Sequence, residues 1–241
     1  MRLCTGMVLA AVVVTMGLAA AEVRADVTLL EDDFGGAALD PAKWTAQVDA
    51  GCSLSVSGGL LHSYFTGAGA PRGAYAVSVP LALPQNWTSV TITGQWAYVT
   101  KVYGEMVFQV RDADVTTNYF QASYKTYQGD GFRYVVTGQS IVEQVRAVPA
   151  TLAQFECVVT PTHWLFRENR SGTWTTLVNL DTTVLAGADN LQLKIGGWEY
   201  SATSLQHVTF DNISVTAVPE PATMGLLGVG LAALAARRRK A

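Results

Sequence analysis

Between Asp26 and Ala217 the apolar residues of this chain alternate in short runs broken by turn formers. No window of twelve residues spaces them three or four apart, as a helix face would need. Val90–Val99, Glu105–Arg111, Tyr119–Tyr124, Phe132–Thr137 and Phe155–Thr160 are rich in β-branched and aromatic residues, which suit a pleated, half-buried surface. Lys101–Gly104, Gln128–Gly131 and Asn169–Gly172 separate them with the residue types that tight turns use. Strands this short and this frequent predict an all-β chain, an antiparallel β-sandwich or jelly roll. No fixed-period repeat points to a solenoid or propeller.

Alternation also assigns faces. In Glu105–Arg111, the residues Met106, Phe108 and Val110 share the side expected in the core, while Glu105, Val107, Gln109 and Arg111 share the other. In Tyr119–Tyr124, Tyr119, Gln121 and Ser123 oppose Phe120, Ala122 and Tyr124. A face carrying Glu105, Gln109, Arg111, Tyr119 and Gln121 offers an aromatic ring for sugar CH groups and polar side chains for hydroxyls. The same composition also suits the solvated side of a sandwich, and the residues alone leave both readings open. Trp198, Glu199 and Tyr200, after Gly196-Gly197, form a second candidate cluster.

The two ends of the chain follow different physics. Arg2, the apolar run Met7–Ala21 and the small residues after it fit a secretory signal peptide over residues 1–25, with the mature chain starting near Asp26. At the other end, Pro219 and Pro221 bracket Glu220, and prolines so close suit neither a helix interior nor a central strand, so the folded domain is expected at 26–217. Ala222–Ala236 is an uncharged apolar helix candidate of 15 residues, short for a membrane span of about 17 to 25. Arg237, Arg238, Arg239 and Lys240 follow, a block that holds its end of a membrane segment on the cytoplasmic side.

Pro219-Glu220-Pro221, a short apolar helix and a terminal basic cluster together resemble the PEP-CTERM sorting signal of Gram-negative bacteria. The resemblance implies recognition and cleavage by an exosortase-type enzyme, transient membrane residence through residues 218–241, and a final location at the cell surface or in the extracellular matrix. An ordinary C-terminal membrane anchor is the alternative. Both place the domain outside the cytoplasm.

Of the 16 Lys and Arg, six lie in the two ends, so residues 26–217 hold 10 basic against 17 acidic side chains, a net charge of −7. That argues against nucleic acid or an anionic lipid surface as partner. Cys52 and Cys157 remain in this span. In an exported protein they can form a disulfide closing a loop of about 100 residues, worth up to about 4.7 kcal/mol of chain entropy; alternatively Cys157 is a small hydrophobe in its strand. With His62, His163 and His207 so irregularly spaced, the sequence holds no metal-cluster motif.

The span Leu30–Trp44, the strand Val56–Leu61 and the strand Phe210–Val215 are similar to concanavalin A-like lectin and glucanase domains, as is the hairpin between Phe155 and Leu177 with its turn at Thr160–Thr162. The resemblance implies two curved sheets with a concave ligand face, and a structural Ca²⁺ held at the positions of Asp33, Gly58 and Asp211. Calcium takes carboxylate and carbonyl oxygens, so the set is chemically sensible; a solvated acidic turn is the alternative. Retaining glucanases of this type place acidic residues alternately along one strand, because nucleophile and acid must stand about 5 to 5.5 Å apart. Here Val107 and Gln109 follow Glu105 on its face, and no other acidic run supplies the pair. The expectation is therefore an exported lectin-like module for extracellular polysaccharide, against a glycoside hydrolase of the glucanase type or a ligand-free matrix protein.

Overall fold

Period-two alternation becomes a burial pattern with the same period. The computed structural model describes residues 26–66, 72–100, 103–199 and 205–220; the signal peptide expected at 1–25 and the apolar segment expected at 222–236 lie outside the described residues. In chain order the strands are β1 (Val27–Asp32), β2 (Trp44–Val48), β3 (Cys52–Ser57), β4 (Leu60–Thr66), β5 (Arg72–Ser78), β6 (Leu81–Ala82), β7 (Trp87–Thr100) and β8 (Gly104–Asp112). They continue as β9 (Tyr119–Lys125), β10 (Gly131–Val136), β11 (Val142–Val145), β12 (Ala153–Thr160), β13 (His163–Arg170), β14 (Thr173–Asp181), β15 (Asn190–Glu199) and β16 (Leu205–Pro219).

They form two antiparallel sheets. One runs β14-β13-β12-β7-β16-β4-β3, with β1 also paired to β16; the other runs β11-β10-β9-β8-β15-β5-β2, with β6 paired to β15. Tight turns join neighbours where the sequence supplies left-handed residues, as at Ser171-Gly172 (φ 53 and 84) between β13 and β14 and Gly58-Gly59 (φ 60 and 77) between β3 and β4.

Between the sheets lies a continuous aromatic core. Phe155 stacks on Phe166 (5.8 Å between ring centres), and both touch Trp96 of their own sheet and Phe108 across the interface. Gly94 makes room for this cluster, since a Cβ there would lie 2.5 Å from Ile213 and 2.7 Å from the Phe155 ring. Within the same layer sits a fully buried carboxylate, Glu168, in phase with Trp164 and Phe166 on β13. It accepts from Trp96 Nε1 (3.0 Å) and Tyr124 OH (2.8 Å), and pairs with Arg146 (3.0 Å) and Arg170 (2.7 Å).

The disulfide expected between Cys52 and Cys157 is absent; both are free thiols. They sit on β3 and β12 of the same sheet with β4, β16 and β7 between them, four strand spacings of about 4.8 Å each. Bridging needs Cα atoms within about 7 Å. Cys157 is the small hydrophobe of the alternative reading: its Sγ accepts from Trp164 Nε1 at 3.2 Å, and burial pushes its thiol up to about 12.

The last strand also outruns the expected boundary at Ala217. Val218 pairs with Ser89, Pro219 with Trp87 after an irregularity, and the Glu220 amide donates to Asn86 O at 2.8 Å. β1 stops pairing at Ala217, so Pro219 stands where β16 has a neighbour on one side only and its missing N–H costs little.

Removing the Glu168 carboxylate strands two guanidinium groups, a phenol and an indole between the sheets. Glu168→Ala is expected to lower unfolding free energy by about 3 kcal/mol, the low end for a broken buried pair because both arginines keep partial solvent contact; urea denaturation checks this, and a loss below about 1 kcal/mol would contradict it.

Candidate functional site

On the second sheet, Met106, Phe108 and Val110 face the core, and Glu105, Val107, Gln109 and Arg111 face away. Strand register extends this outward face sideways. Arg111 lies between Gln192 and Tyr119; Gln109 lies between Lys194 and Gln121. Val107 lies between Gly196 and Ser123, and Glu105 between Trp198 and Lys125. Beyond these, Tyr75 pairs with Gly196 and Arg133 with Ser123. The sequence expectation that Glu105, Gln109, Arg111, Tyr119 and Gln121 share one face corresponds to this layout.

The face is recessed. Val107, Ser123 and Glu105 point away from the core yet are 3%, 0% and 0% exposed, whereas Ser53, Ser55 and Ser57 on the outward face of the other sheet are open to solvent. Part of the reason lies in the floor: Gly196, at φ 147, has no room for a side chain, as a Cβ would fall 2.2 Å from Ala74 O. Beside it, the Lys194 side chain reaches over the Tyr75 ring.

At one end these side chains close into a sealed network. Glu105 Oε1 pairs with Arg133 Nη2 (2.7 Å) and accepts from Tyr127 OH (2.7 Å), while Arg133 Nη1 donates to the same phenol (2.7 Å). Burial raises the Glu105 pKa against the opposing pull of Arg133, Tyr127, Trp198 and Ser123. Lys125 pairs with Glu143. Glu105 is thus a buried support for Tyr127 and Arg133, and no ligand can reach it without displacing them. That corrects its expected role as a direct contact.

At the other end the polar groups stay accessible. Gln109 Nε2 donates to Gln121 Oε1 at 3.3 Å; Arg111 donates to Gln192 Oε1 through Nε (2.9 Å) and Nη2 (2.5 Å); Gln192 is itself fixed by Ser78 O (2.7 Å). Lys194 Nζ lies 3.8 Å above the Tyr75 ring centre. Burial lowers the Arg111 pKa, and burial followed by the Arg111 charge lowers that of Lys194. Of the second candidate cluster, Trp198 joins this face, Glu199 points to the opposite side, and Tyr200 lies outside the described residues. Alternation could have found Tyr75 and Lys194, each a polar residue between inward apolar ones; Tyr127, from a loop, carries no such signal.

Asp33, Gly58 and Asp211 meet at one corner of the first sheet. β16 pairs with β4 up to Phe210↔Leu61 and with β1 from Ile213↔Asp32, so the handover falls at Asp211-Asn212 beside the Gly58-Gly59 turn. Burial raises the Asp211 pKa, the Asn212 amide opposes this, and the Asp33 charge adds to the rise. Phe34 and Asn212, both at φ 50, hold the corner in a strained left-handed backbone. No group of three or more His, Cys, Asp or Glu gathers among the described residues, so a Ca²⁺ here would rest on Asp211, the Asp33 region and carbonyl oxygens. That donor set fits a hard cation. Asp32, next in line, is committed elsewhere: it accepts from the Phe34 amide and Trp44 Nε1, both at 2.8 Å.

A second polar cluster lies on the outward face of the first sheet. His62 Nε2 meets Ser57 O at 3.0 Å and so carries the proton there, which makes its Nδ1 the acceptor for His207 Nε2–H at 2.8 Å. Tyr64 stacks on His207 at 4.1 Å.

Residues 217–240 match the PEP-CTERM protein-sorting motif, which marks an exported surface protein processed by exosortase. No curated protein matches the chain in sequence. Solved structures share the fold. Lectin I from Ulex europaeus, in complex with the methyl glycoside of α-L-fucose, is 12% identical with a TM-score of 0.60 over 80% of this chain and 98% of its own. A glycosyl hydrolase family protein from Mycobacterium fortuitum is 10% identical with a TM-score of 0.60, covering 78% and 99%. A pseudo β-1,3-glucanase of Mycobacterium tuberculosis is 10% identical with a TM-score of 0.58, covering 78% and 98%. The domain therefore has the sandwich fold of concanavalin A-like lectins and glucanases.

Burial and the neighbouring His62 lower the His207 pKa from 6.5 to about 4. The unfolded chain binds that proton more readily, so stability falls as pH drops from about 6.5 toward about 4. His207→Gln keeps a donor toward His62 and removes the titration. Its stability loss between pH 7 and pH 5 in urea denaturation is expected to be smaller than the parent's, and an equal loss would contradict the assignment.

Proposed function

We propose that this protein is an exported module that binds polysaccharide on the recessed outward face of its second sheet without cleaving it. One observation carries the reading: Gln109 with Gln121 and Arg111 with Tyr119 stand directly opposite each other on adjacent strands, half-buried and accessible. Amides and a guanidinium take ring hydroxyls, and tyrosine rings take the apolar sugar faces. The sorting motif supports a place at the cell surface or in the extracellular matrix, where the polymer is extracellular polysaccharide and the membrane a transient partner.

A glucanase-type hydrolase is favoured by a single feature, the raised pKa of Glu105, which a general acid would need. Against it, Trp198 and Lys125 flank Glu105 across the strands, and Val107 and Gln109 follow along its own, so the second carboxyl required about 5 to 5.5 Å away has no candidate among these neighbours.

With the purified full chain, Arg111→Ala and Tyr119→Ala are each expected to weaken polysaccharide binding about tenfold in affinity electrophoresis, with little change in melting temperature because neither lies in the core. Unchanged binding in both variants would move the site elsewhere. Reducing ends released from a β-glucan by the parent and not by Glu105→Gln would make the protein a hydrolase instead.

Calcium at Asp33, Gly58 and Asp211 belongs to the same proposal as a structural ion. Chelation is expected to lower the melting temperature of the parent and to leave that of Asp211→Ala unaffected; identical melting of the parent with calcium and with chelator would remove the ion from the account.

A further inference from the structure

The two ends of the recessed face differ in charge balance. At the sealed end Glu105 pairs with Arg133, and Lys125 with Glu143. At the accessible end Arg111 and Lys194 form no ion pair among the described residues: Arg111 rests on the Gln192 amide oxygen and Lys194 on the Tyr75 ring. Asp49 acts on Lys194 at longer range, but one of its oxygens is taken by the Gly73 amide at 2.8 Å. Half-buried cations held by neutral partners are costly unless an anion joins them, and Arg111 stands close enough to disfavour the charge on Lys194. This occurs in a domain of net charge −7, so two cations without a carboxylate partner among the described residues are a local feature of this face and not a general property of the domain.

We propose that Arg111 and Lys194 form an anion subsite, and that the glycan taken by this face is acidic, a polymer bearing carboxylates on its sugar rings. The inference rests on the glycan-binding reading and narrows it to a chemical class. Gln192 fixes the Arg111 fork from one side, leaving N–H groups for a carboxylate. Gln109 and Gln121 keep free amide atoms for hydroxyls on the same ring. Tyr119, directly opposite Arg111 on the neighbouring strand, supplies an aromatic ring beside it.

The test uses the full chain against polygalacturonate, alginate and hyaluronate, each in native form and after chemical reduction of its carboxylates to neutral alcohols. The parent is expected to bind at least one native polymer about tenfold more tightly than its reduced form, as a charge-assisted hydrogen bond implies. Lys194→Met should erase most of that preference and bind native polymer about as the parent binds the reduced form; Arg111→Gln should erase the preference too, while weakening the binding of native and reduced polymers alike. If Arg111→Gln does not fold, Lys194→Met alone decides. Equal binding of native and reduced polymers overturns the acidic class and leaves the glycan reading standing; binding of none of the six overturns both. A preference that survives in both variants removes the subsite. Dextran sulfate or a single-stranded oligodeoxynucleotide binding as tightly as the best polyuronate overturns the assignment to a sugar carboxylate.

Discussion

The Glu168 carboxylate is the contact on which the two sheets depend for their mutual placement. It has no solvent exposure, and its partners come from three directions: Trp96 on β7 of its own sheet, Tyr124 on β9 of the other, and the guanidinium groups of Arg146 and Arg170. Both arginines also donate to the Tyr124 hydroxyl, at 2.8 and 2.6 Å, so the phenol and the carboxylate share one pair of cations. A buried ionic cluster of this kind is weak evidence of net stability, because a well-packed apolar set often does as well. Its physical contribution is directional: an apolar layer tolerates sliding, while this cluster is satisfied in one register only.

That register reaches the candidate face through β9. Tyr124 points inward to Glu168, while its neighbours Ser123 and Lys125 point outward beside Val107 and Glu105. The backbone carbonyl of Tyr124 also accepts from Tyr98 OH at 2.8 Å. A strand pinned from the core side presents Tyr119, Gln121, Ser123 and Lys125 at fixed spacing on the other side. Weak polar ligands need such preorganisation, since ordering mobile side chains on binding offsets much of what their contacts gain.

The fold was legible because period-two alternation survives wherever one face is buried. Glu105–Arg111 and Phe155–Thr160 fell inside β8 and β12 with the faces the pattern implied. The same rule placed four accessible groups of the candidate face, and could have placed Lys194 and Tyr75. It is silent where chemistry overrides polarity. Glu168 alternates in phase with Trp164 and Phe166, yet nothing local announces the two arginines and two aromatic donors that make an interior carboxylate tolerable. Glu105 read as a surface acid because the cap formed by Tyr127 and Arg133 depends on the loop before β10 and on cross-strand register. The cysteines failed for a similar reason: loop length says nothing about how many strands the sheet order inserts between two positions.

Topology also relates the face to the sorting signal. β16 leaves its sheet at Pro219, paired with Trp87, and the Trp87 indole donates to Ala188 O at 3.2 Å just before β15 begins. β15 starts at Asn190, whose side chain reaches Asp114, and Gln192 stands against Arg111. The chain therefore departs toward its tail at the end of the sandwich that carries Arg111 and Tyr119, while the sealed Glu105 end lies at the far end of the same strands.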